Sequence, residues 1–465
     1  MFLPTVRTKT RGTPARPIAL RRWIRALIVP ALLLTSSSLV SQTDSPAGPV
    51  PVERLEDRRQ ALRVRMGTGI AVLRGASQLD DEADGDYPQA GGFRQDNDFF
   101  YLTGLEEPDG WLVLVAGDSG ESETILYLPP RNPGQEQWTG HTLGPGPEAR
   151  ALSGIADIRP ATEAEAELPS LIARHRRLWL KLHPRSTARP EIQRLMFESN
   201  ARAIEDLRPL LVAGRLVKDP DEVGRLRRAA EITTEAQREV LRSAVPGQYE
   251  YEMEAGIEAV FRRRGAERLG FPSIVGSGPN TTILHYDRNR RRTQAGDLVV
   301  TDVGAEFGYY TADVTRTWPV SGKFTPRQRS LYDLVLATQQ VGIDSVRPGM
   351  TIGELDRIAR LYMREHSAGL CGPQSCDLYF VHGLSHWLGM DVHDVGNAGT
   401  PLAPGMVLTV EPGIYLAKEG IGIRIEDDVL VTATGHDVLS AGAPRAAADI
   451  ERLMAEGARL RREKH

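Results

Sequence analysis

Acidic residues sit inside runs of this chain that otherwise read as apolar β-strands, and this limits the folds open to it. In residues 297–317, DLVVTDVGAEFGYYTADVTRT, two strand-like runs flank Glu306-Phe307-Gly308-Tyr309, with Asp302 and Asp313 equidistant from that turn. A hairpin centred there sets the two carboxylates directly opposite each other, on one face. Residues 406–414, MVLTVEPGI, and 421–431, IGIRIEDDVLV, repeat the arrangement around Ala417-Lys418-Glu419-Gly420, with Glu411 and Glu426 equidistant from the turn. Neighbouring carboxylates repel unless a proton or a metal intervenes, and an unpaired charge in an apolar strand is costly. For a single Asp pair, the ordinary explanation is that one member lies in the turn or faces solvent. A shared cationic centre explains both pairs at once.

Three of the ten histidines fall within HGLSHWLGMDVH, as His382, His386 and His393, and His285 precedes the first hairpin in ILHY. A lone histidine is more often a core or surface residue than a ligand; crowding beside two carboxylate hairpins points instead to a site. Carboxylates with one imidazole suit Mn, Fe(II), Co or Zn and disfavour thiolate-seeking metals. Four carboxylates and a histidine suffice for two ions roughly 3.5–4 Å apart, the two-metal hydrolase arrangement.

A length of 465 residues suggests more than one domain. Residues 52–66 read as an amphipathic helix, and 69–74, 111–116 and 124–128 as buried strands. Helical patterns alternate with them to about residue 215, which gives an N-terminal α/β domain over 51–216. Lys218-Asp219-Pro220-Asp221-Glu222 is a helix-start signal and opens a second domain, 217–465. That domain carries a weak repeat: residues 243–264 and 345–366 each place a Pro-Gly pair before an amphipathic helix, the second with a capping box of Thr351 and Glu354. Two such halves facing each other create a cleft.

A 41% hydrophobic and 25% charged composition excludes a disordered or collagen-like chain. A net charge of −4 gives no support for nucleic-acid binding, and the Arg290–Arg292 run reads as a solvated loop. Two cysteines exclude a disulfide scaffold; Cys371 and Cys376 fit a small disulfide and two free thiols equally well. Residues 1–50 form a targeting segment and lead-in: no acid precedes Asp44, and basic residues precede the apolar run 26–34 and then small residues. This is a secretory-signal pattern, too short to span a bilayer, which needs about 20 apolar residues. Export to the periplasm or medium is expected, with an organellar or cytoplasmic location as the alternative; no stable membrane span is expected in the mature chain.

These segments together resemble the pita-bread metallopeptidases, and most of all the aminopeptidase P (Xaa-Pro aminopeptidase) group. The resemblance rests on FRQDNDFFYLTG (93–104), GSGPNTTILHY (276–286), DVTRTWPVSGKFT (313–325), HGLSHWLGMDVHDVG (382–396), LTVEPGIY (408–415) and GIGIRIEDD (420–428), and spans about residues 52–452. It implies an α+β fold: an N-terminal α/β domain, then a pita-bread (creatinase/aminopeptidase-like) catalytic domain of two pseudo-symmetric halves. Asp302, Asp313, His386, Glu411 and Glu426 match the metal ligands, with Asp313 and Glu426 bridging two divalent ions, Mn foremost and Zn, Co or Fe as alternatives. His285, His382 and His393 match catalytic and substrate-binding histidines, and Glu411 the proton shuttle. Arg424 matches a partner of the carboxylates, and Tyr415 is expected to line the cleft. The implied reaction releases the first residue from peptides with proline second, through a hydroxide bridging the metals. Such enzymes form homodimers or homotetramers. A prolidase acting on Xaa-Pro dipeptides is the nearest alternative; a non-catalytic peptide-binding module is another, against which the complete ligand set weighs. The Tyr415–Gly420 linker is shorter than in some bacterial relatives. Trp138, in a Gly/Pro-rich loop, either reaches a neighbouring subunit's cleft or packs within its own.

Overall fold

Runs of branched and aromatic residues become the inner strands of a sheet covered on both sides. In this computed structural model, which describes residues 46–77, 92–117, 122–198, 201–367 and 369–463, β1 (Gly69–Arg74), β2 (Trp111–Ala116) and β3 (Ser122–Leu128) pair antiparallel in the order β3-β2-β1. Parallel strands β4 (Asp157–Pro160), β5 (Arg177–Leu180) and β6 (Ala203–Asp206) extend it to β4-β3-β2-β1-β5-β6. Side chains alternate between faces. Ile70, Val72, Val113 and Ile125 pack on the helices Ala161–Ile172 and Pro190–Glu198. Ala71, Leu73, Leu112, Leu114 and Leu126 point the other way, into a core that includes the helix Val52–Met66 and also Ala229, Ala230, Tyr309, Leu388 and Met390 of the second domain. The two domains therefore share a core. Of the targeting segment and lead-in read over residues 1–50, residues 1–45 lie outside the described residues.

The cap signal at Asp219 opens a helix. The Asp219 carboxylate accepts from the Asp221 and Glu222 N–H groups, and Glu222 accepts from the Asp219 N–H, at the start of the helix Pro220–Ser243. The repeat is realised in register. Gly247 and Gly349 take φ values of 91° and 90°, and at the same offset from each begins a 14-residue helix, Glu250–Arg263 or Ile352–Glu365. Each packs on a longer helix, Pro220–Ser243 or Pro326–Asp344. The first half adds β7 (Arg268–Leu269), β8 (Ile274–Ser277), β9 (Leu298–Val303), β10 (Ala305–Phe307), β11 (Tyr310–Thr311) and β12 (Val314–Pro319), in sheets β12-β9-β8 and β11-β10-β7. The second half adds β13 (Val407–Val410), β14 (Gly413–Leu416), β15 (Ile421–Arg424), β16 (Asp427–Val431) and β17 (His436–Val438), in sheets β13-β16-β17 and β14-β15. Among the described residues no helix is long and apolar enough to cross a membrane.

The first hairpin departs from expectation. Its tip is Gly308-Tyr309, both left-handed (φ 57° and 72°), between the paired Phe307 and Tyr310; Glu306 and Phe307 belong to a strand. Two positive φ values make a tight turn whose twist suits the flanking strands. Tyr309 tolerates this backbone because its ring stacks on Phe100 at 3.6 Å, and its hydroxyl donates to Glu106 (2.6 Å) and accepts the Gln95 N–H (3.0 Å). The register pairs Asp302 with Thr315, and Val303 with Val314. Asp302 and Asp313 are thus diagonal neighbours, not directly opposite. A two-residue slip preserves the face, because strand side chains alternate with period two. One step further in the same register, Asp313 stands across from Gly304, where a Cβ would run into the Ala312 carbonyl. The second hairpin keeps one register on both sides of a break, from Val407↔Leu430 to Val410↔Asp427 and from Gly413↔Arg424 to Leu416↔Ile421. Glu411 and Glu426 face each other in that break.

Cys371 and Cys376 form a disulfide. Trp138 sits on a short helix, Pro133–Thr139, not a loop, and is 87% exposed, so it does not pack within its own chain. In the Arg290–Arg292 run, Arg291 is paired with Asp297 at 2.6 Å, while Arg290 and Arg292 lie over the rings of Tyr251 and Tyr249.

Candidate metal centre

Both hairpins interrupt their ladders where a carboxylate stands, and the freed backbone groups tie the two halves together. The Asp313 N–H donates to the Asp428 carboxylate (3.1 Å) and the Glu426 N–H to the Thr315 carbonyl (3.1 Å), while within the second half the Glu411 N–H donates to the Leu384 carbonyl (2.9 Å). The result is a cleft of about 280 Å³ lined by Asp302, Asp313, Glu411 and Glu426 together with His285, His382, His386 and His393. A second hollow of about 240 Å³ adjoins it across Asp302, Asp313, His285 and His393, and adds Phe271, Pro272, Ile274 and Val392.

Ligating atoms of Asp313, His386 and Glu426 all lie within 4.8 Å of one another. His386 Nε2 is 3.4 Å from Asp313 Oδ2 and 3.4 Å from Glu411 Oε1. The His386 Nδ1–H donates to the Trp387 carbonyl at 3.1 Å, which leaves the Nε2 lone pair facing the carboxylates. Asp302 is set apart: its Oδ2 accepts from Arg424 Nη2 at 2.6 Å. Arg424 also donates to Thr315 Oγ1 (3.2 Å), and Thr315 Oγ1 in turn donates to Glu426 Oε2 (2.6 Å). The Tyr415 hydroxyl accepts from Arg424 Nη1 (2.9 Å) and donates to His382 Nε2 (2.8 Å), and the His382 Nδ1–H donates to the Gly383 carbonyl (2.9 Å). Tyr415 is therefore buried behind His382 and does not line the cleft as expected; its bonds to two charged or polar partners draw the phenol inward. The His386 and His393 rings meet edge to face at 4.4 Å, and His285 stands 6.4 Å from His393.

Burial shapes the titration of these groups. It raises the Asp313 and Glu411 carboxyls well above the carboxylate range, helped in both by the charge of Glu426, and pushes Glu426 up to about 8, helped by Asp302. His382 and His386 are pulled down to about 4, by burial first and then by Arg424 and His393 respectively, so both rings are neutral at pH 7.

Residues 224–433 match metallopeptidase family M24, and residues 55–179 match the aminopeptidase P N-terminal domain. The chain is 37% identical over 437 residues to the Xaa-Pro aminopeptidase of Escherichia coli (strain K12), covering 86% of this chain and 97% of that protein. The chain belongs to metallopeptidase family M24. Within M24, the Xaa-Pro aminopeptidase of Haemophilus influenzae is 37% identical over 435 residues, covering 87% of this chain and 98% of that one. The zinc-substituted E. coli aminopeptidase P in complex with product superposes with a TM-score of 0.82 at 35% identity, covering 88% of this chain and 99% of that chain. The α+β architecture is thus the N-terminal domain and pita-bread domain of M24 peptidases, and the protein is a hydrolase.

M24 membership implies divalent cations, and the residues present fit them. Asp302 Oδ1, Asp313 Oδ1 and Glu426 Oε1 are buried without a hydrogen-bond partner. Buried acceptors left this way are costly, and all three border the same cleft. A cation held there would satisfy them and offset the repulsion that otherwise forces protons onto the acids.

Four contributors escaped the sequence reading. Thr315 links Arg424 to Glu426. Asp428 is buried and accepts the Asp313 N–H. Arg316 and Asp427 form a buried pair at 2.7 Å, and Arg316 also donates to the Glu426 carbonyl (2.6 Å). The signal was available for three of them: Arg316, Asp427 and Asp428 are further charges inside strand-like runs.

Proposed function

We propose that the chain is a metal-dependent Xaa-Pro aminopeptidase, releasing the first residue of peptides that carry proline second. The observation that carries this reading is the meeting of Asp302, Asp313, His386, Glu411 and Glu426 around three unpartnered buried carboxylate oxygens. Asp313 and Glu426 would serve both ions, Asp302 would complete one shell, and His386 with Glu411 the other; Mn is the first candidate. Bound there, two divalent cations supply Lewis acidity, which acidifies water and polarises a carbonyl.

The chain's own groups do the rest. Glu411 takes a proton from the attacking water at a carboxylate oxygen and passes it to the departing proline nitrogen. His393 donates a hydrogen bond to the carbonyl oxygen as charge develops, and His285 stands beside it to bind substrate. His382, neutral and fixed at both nitrogens, offers its ring as a seat for the proline, whose tertiary amide has no N–H to recognise. Arg424 grips Asp302 Oδ2 and orients its carboxylate.

The chain acts as a homodimer or homotetramer, and the exposed Trp138 supports an edge open to a neighbour. It is exported after removal of the N-terminal segment; the Cys371–Cys376 disulfide supports an oxidising compartment.

The test is a product assay on metal-stripped protein reloaded with Mn. The substrates are an Xaa-Pro dipeptide and a longer Xaa-Pro-Xaa peptide, with Asp302→Asn as control. Loss of the first residue from the longer peptide, absent in the control, is the expected result. Cleavage of the dipeptide alone would make the protein a prolidase, and no cleavage with any divalent ion would sink the enzymatic reading.

A further inference from the structure

A buried ion cluster lies outside the metal centre and is used by none of the steps above. Arg215 ends the last helix of the N-terminal domain, Arg208–Arg215, and is 3% exposed. One arm of its guanidinium donates to Asp98 (2.8 Å) on the helix Asn97–Thr103. The other arm donates to Asp394 Oδ1 (2.6 Å) and Asp391 (3.1 Å), in the segment that follows His386. Lys218, in the join between the domains, donates to the second Asp394 oxygen at 3.1 Å. Lys181, at the end of the sheet, pairs with Asp98 at 2.6 Å and Asp96 at 2.8 Å.

Asp394 connects this cluster to the histidines. Its backbone N–H donates to the Trp387 carbonyl at 2.9 Å, the same oxygen that accepts the His386 Nδ1–H at 3.1 Å. His393 is its chain neighbour. Space around it is tight, since a Cβ on Gly389 would collide with the Asp394 carboxylate and touch Lys218. Buried ion pairs are weak contributors to stability, and apolar groups of the same volume would pack as well. What a two-armed guanidinium adds is direction: it fixes the carboxylate it grips in position and angle.

We propose that Arg215 and Lys218 are positioning residues for the metal centre, holding Asp394 so that the Trp387 carbonyl aims His386 and sets the place of His393. The N-terminal domain thereby takes part in building the site in its own chain. The inference rests on the metallopeptidase reading and adds to it a distant control over metal affinity and turnover.

Two variants test it. Arg215→Lys keeps the charge but loses the second arm; Gly389→Ala displaces Asp394 without altering any charge. Mn(II) is titrated calorimetrically into metal-stripped protein, and kcat and KM are measured separately at saturating Mn. Near-ultraviolet circular dichroism confirms folding. Removing groups that orient metal ligands costs about 10–100-fold in affinity or activity. Both variants are therefore expected to bind the weaker Mn ion at least tenfold less tightly and to lose kcat by a similar factor, with KM within about twofold. A folded Arg215→Lys protein that binds Mn and turns over like the parent overturns the proposal, even if it melts at a lower temperature. So does loss of activity that only tracks the unfolded fraction. If the parent chain itself binds no divalent ion, the metallopeptidase reading falls and takes this inference with it.

Discussion

At the scale of single residues, the centre is a concentration of buried acids that something positive must compensate. Without cations it holds protons: Glu426 is pushed up to about 8 from an ordinary 4.5, and Asp313 and Glu411 also move up. These three acids then hold more protons in the folded metal-free protein than in the unfolded chain, an excess that neutral His382 and His386 offset in part below about pH 6.5. The stability gained this way is complete below about pH 4.5 and is lost as pH rises towards 8. Metal-stripped protein should therefore melt at a lower temperature at pH 8 than at pH 6. Saturating Mn should remove or reverse that order, because ligands bind metal deprotonated. Scanning fluorimetry at the two pH values, with and without Mn, checks both statements; a metal-free protein that melts higher at pH 8 contradicts the account. Most of this was legible residue by residue. Asp302, Glu411 and Glu426 stood out as charges in apolar strands, and the histidines by their crowding. Thr315 carried no such signal, since a threonine in a strand is ordinary, and Tyr415 read as a cleft residue because nothing in the sequence shows which way a phenol turns.

At the scale of elements, register decides where a side chain arrives. The second hairpin was readable because its turn lies where the glycine and charges put it, and its register holds across a break. The first was misread by two residues, because a Gly-Tyr tip with both residues left-handed is an uncommon turn. Its stability comes from Phe100, Gln95 and Glu106, distant in sequence. The face survived the error; the partner did not. Gly304 is the element-level requirement that follows, since it lets the strands close beside Asp313. Gly304→Ala should cost about 1–3 kcal/mol in urea unfolding, the usual range for overpacking, and should weaken Mn binding as well. A stable variant with unchanged Mn affinity would show that the strands have room to separate. The helices were the easier elements: the Asp219 and Thr351 caps and the two Pro-Gly offsets all lie within a few residues of what they control.

At the scale of the molecule, the two domains are not separable bodies. One face of the six-stranded sheet packs against its own helices, while the other joins a core with Ala229, Ala230, Leu388 and Met390. Calorimetry of the full chain should show one cooperative transition rather than two. Residues 217–463 expressed alone should bind a hydrophobic dye, because they expose the apolar patch that the sheet covers. A fragment that stays monomeric, dye-free and as stable as the whole chain would disprove the shared core.

The sequence alone determined which residues carry charge into apolar surroundings, where the helices begin, and that two similar halves follow an α/β domain. These are local properties, set by the spacing of residue types and by caps a few positions away. Only the tertiary structure decided that Asp302 lies diagonal to Asp313, that Tyr415 is turned inward between Arg424 and His382, and that the two cysteines are joined. It alone brought Arg215 to Asp394, 179 residues later in the chain. Contacts of that kind depend on how finished elements pack, and the same local pattern is compatible with several packings until burial and hydrogen-bond satisfaction select one.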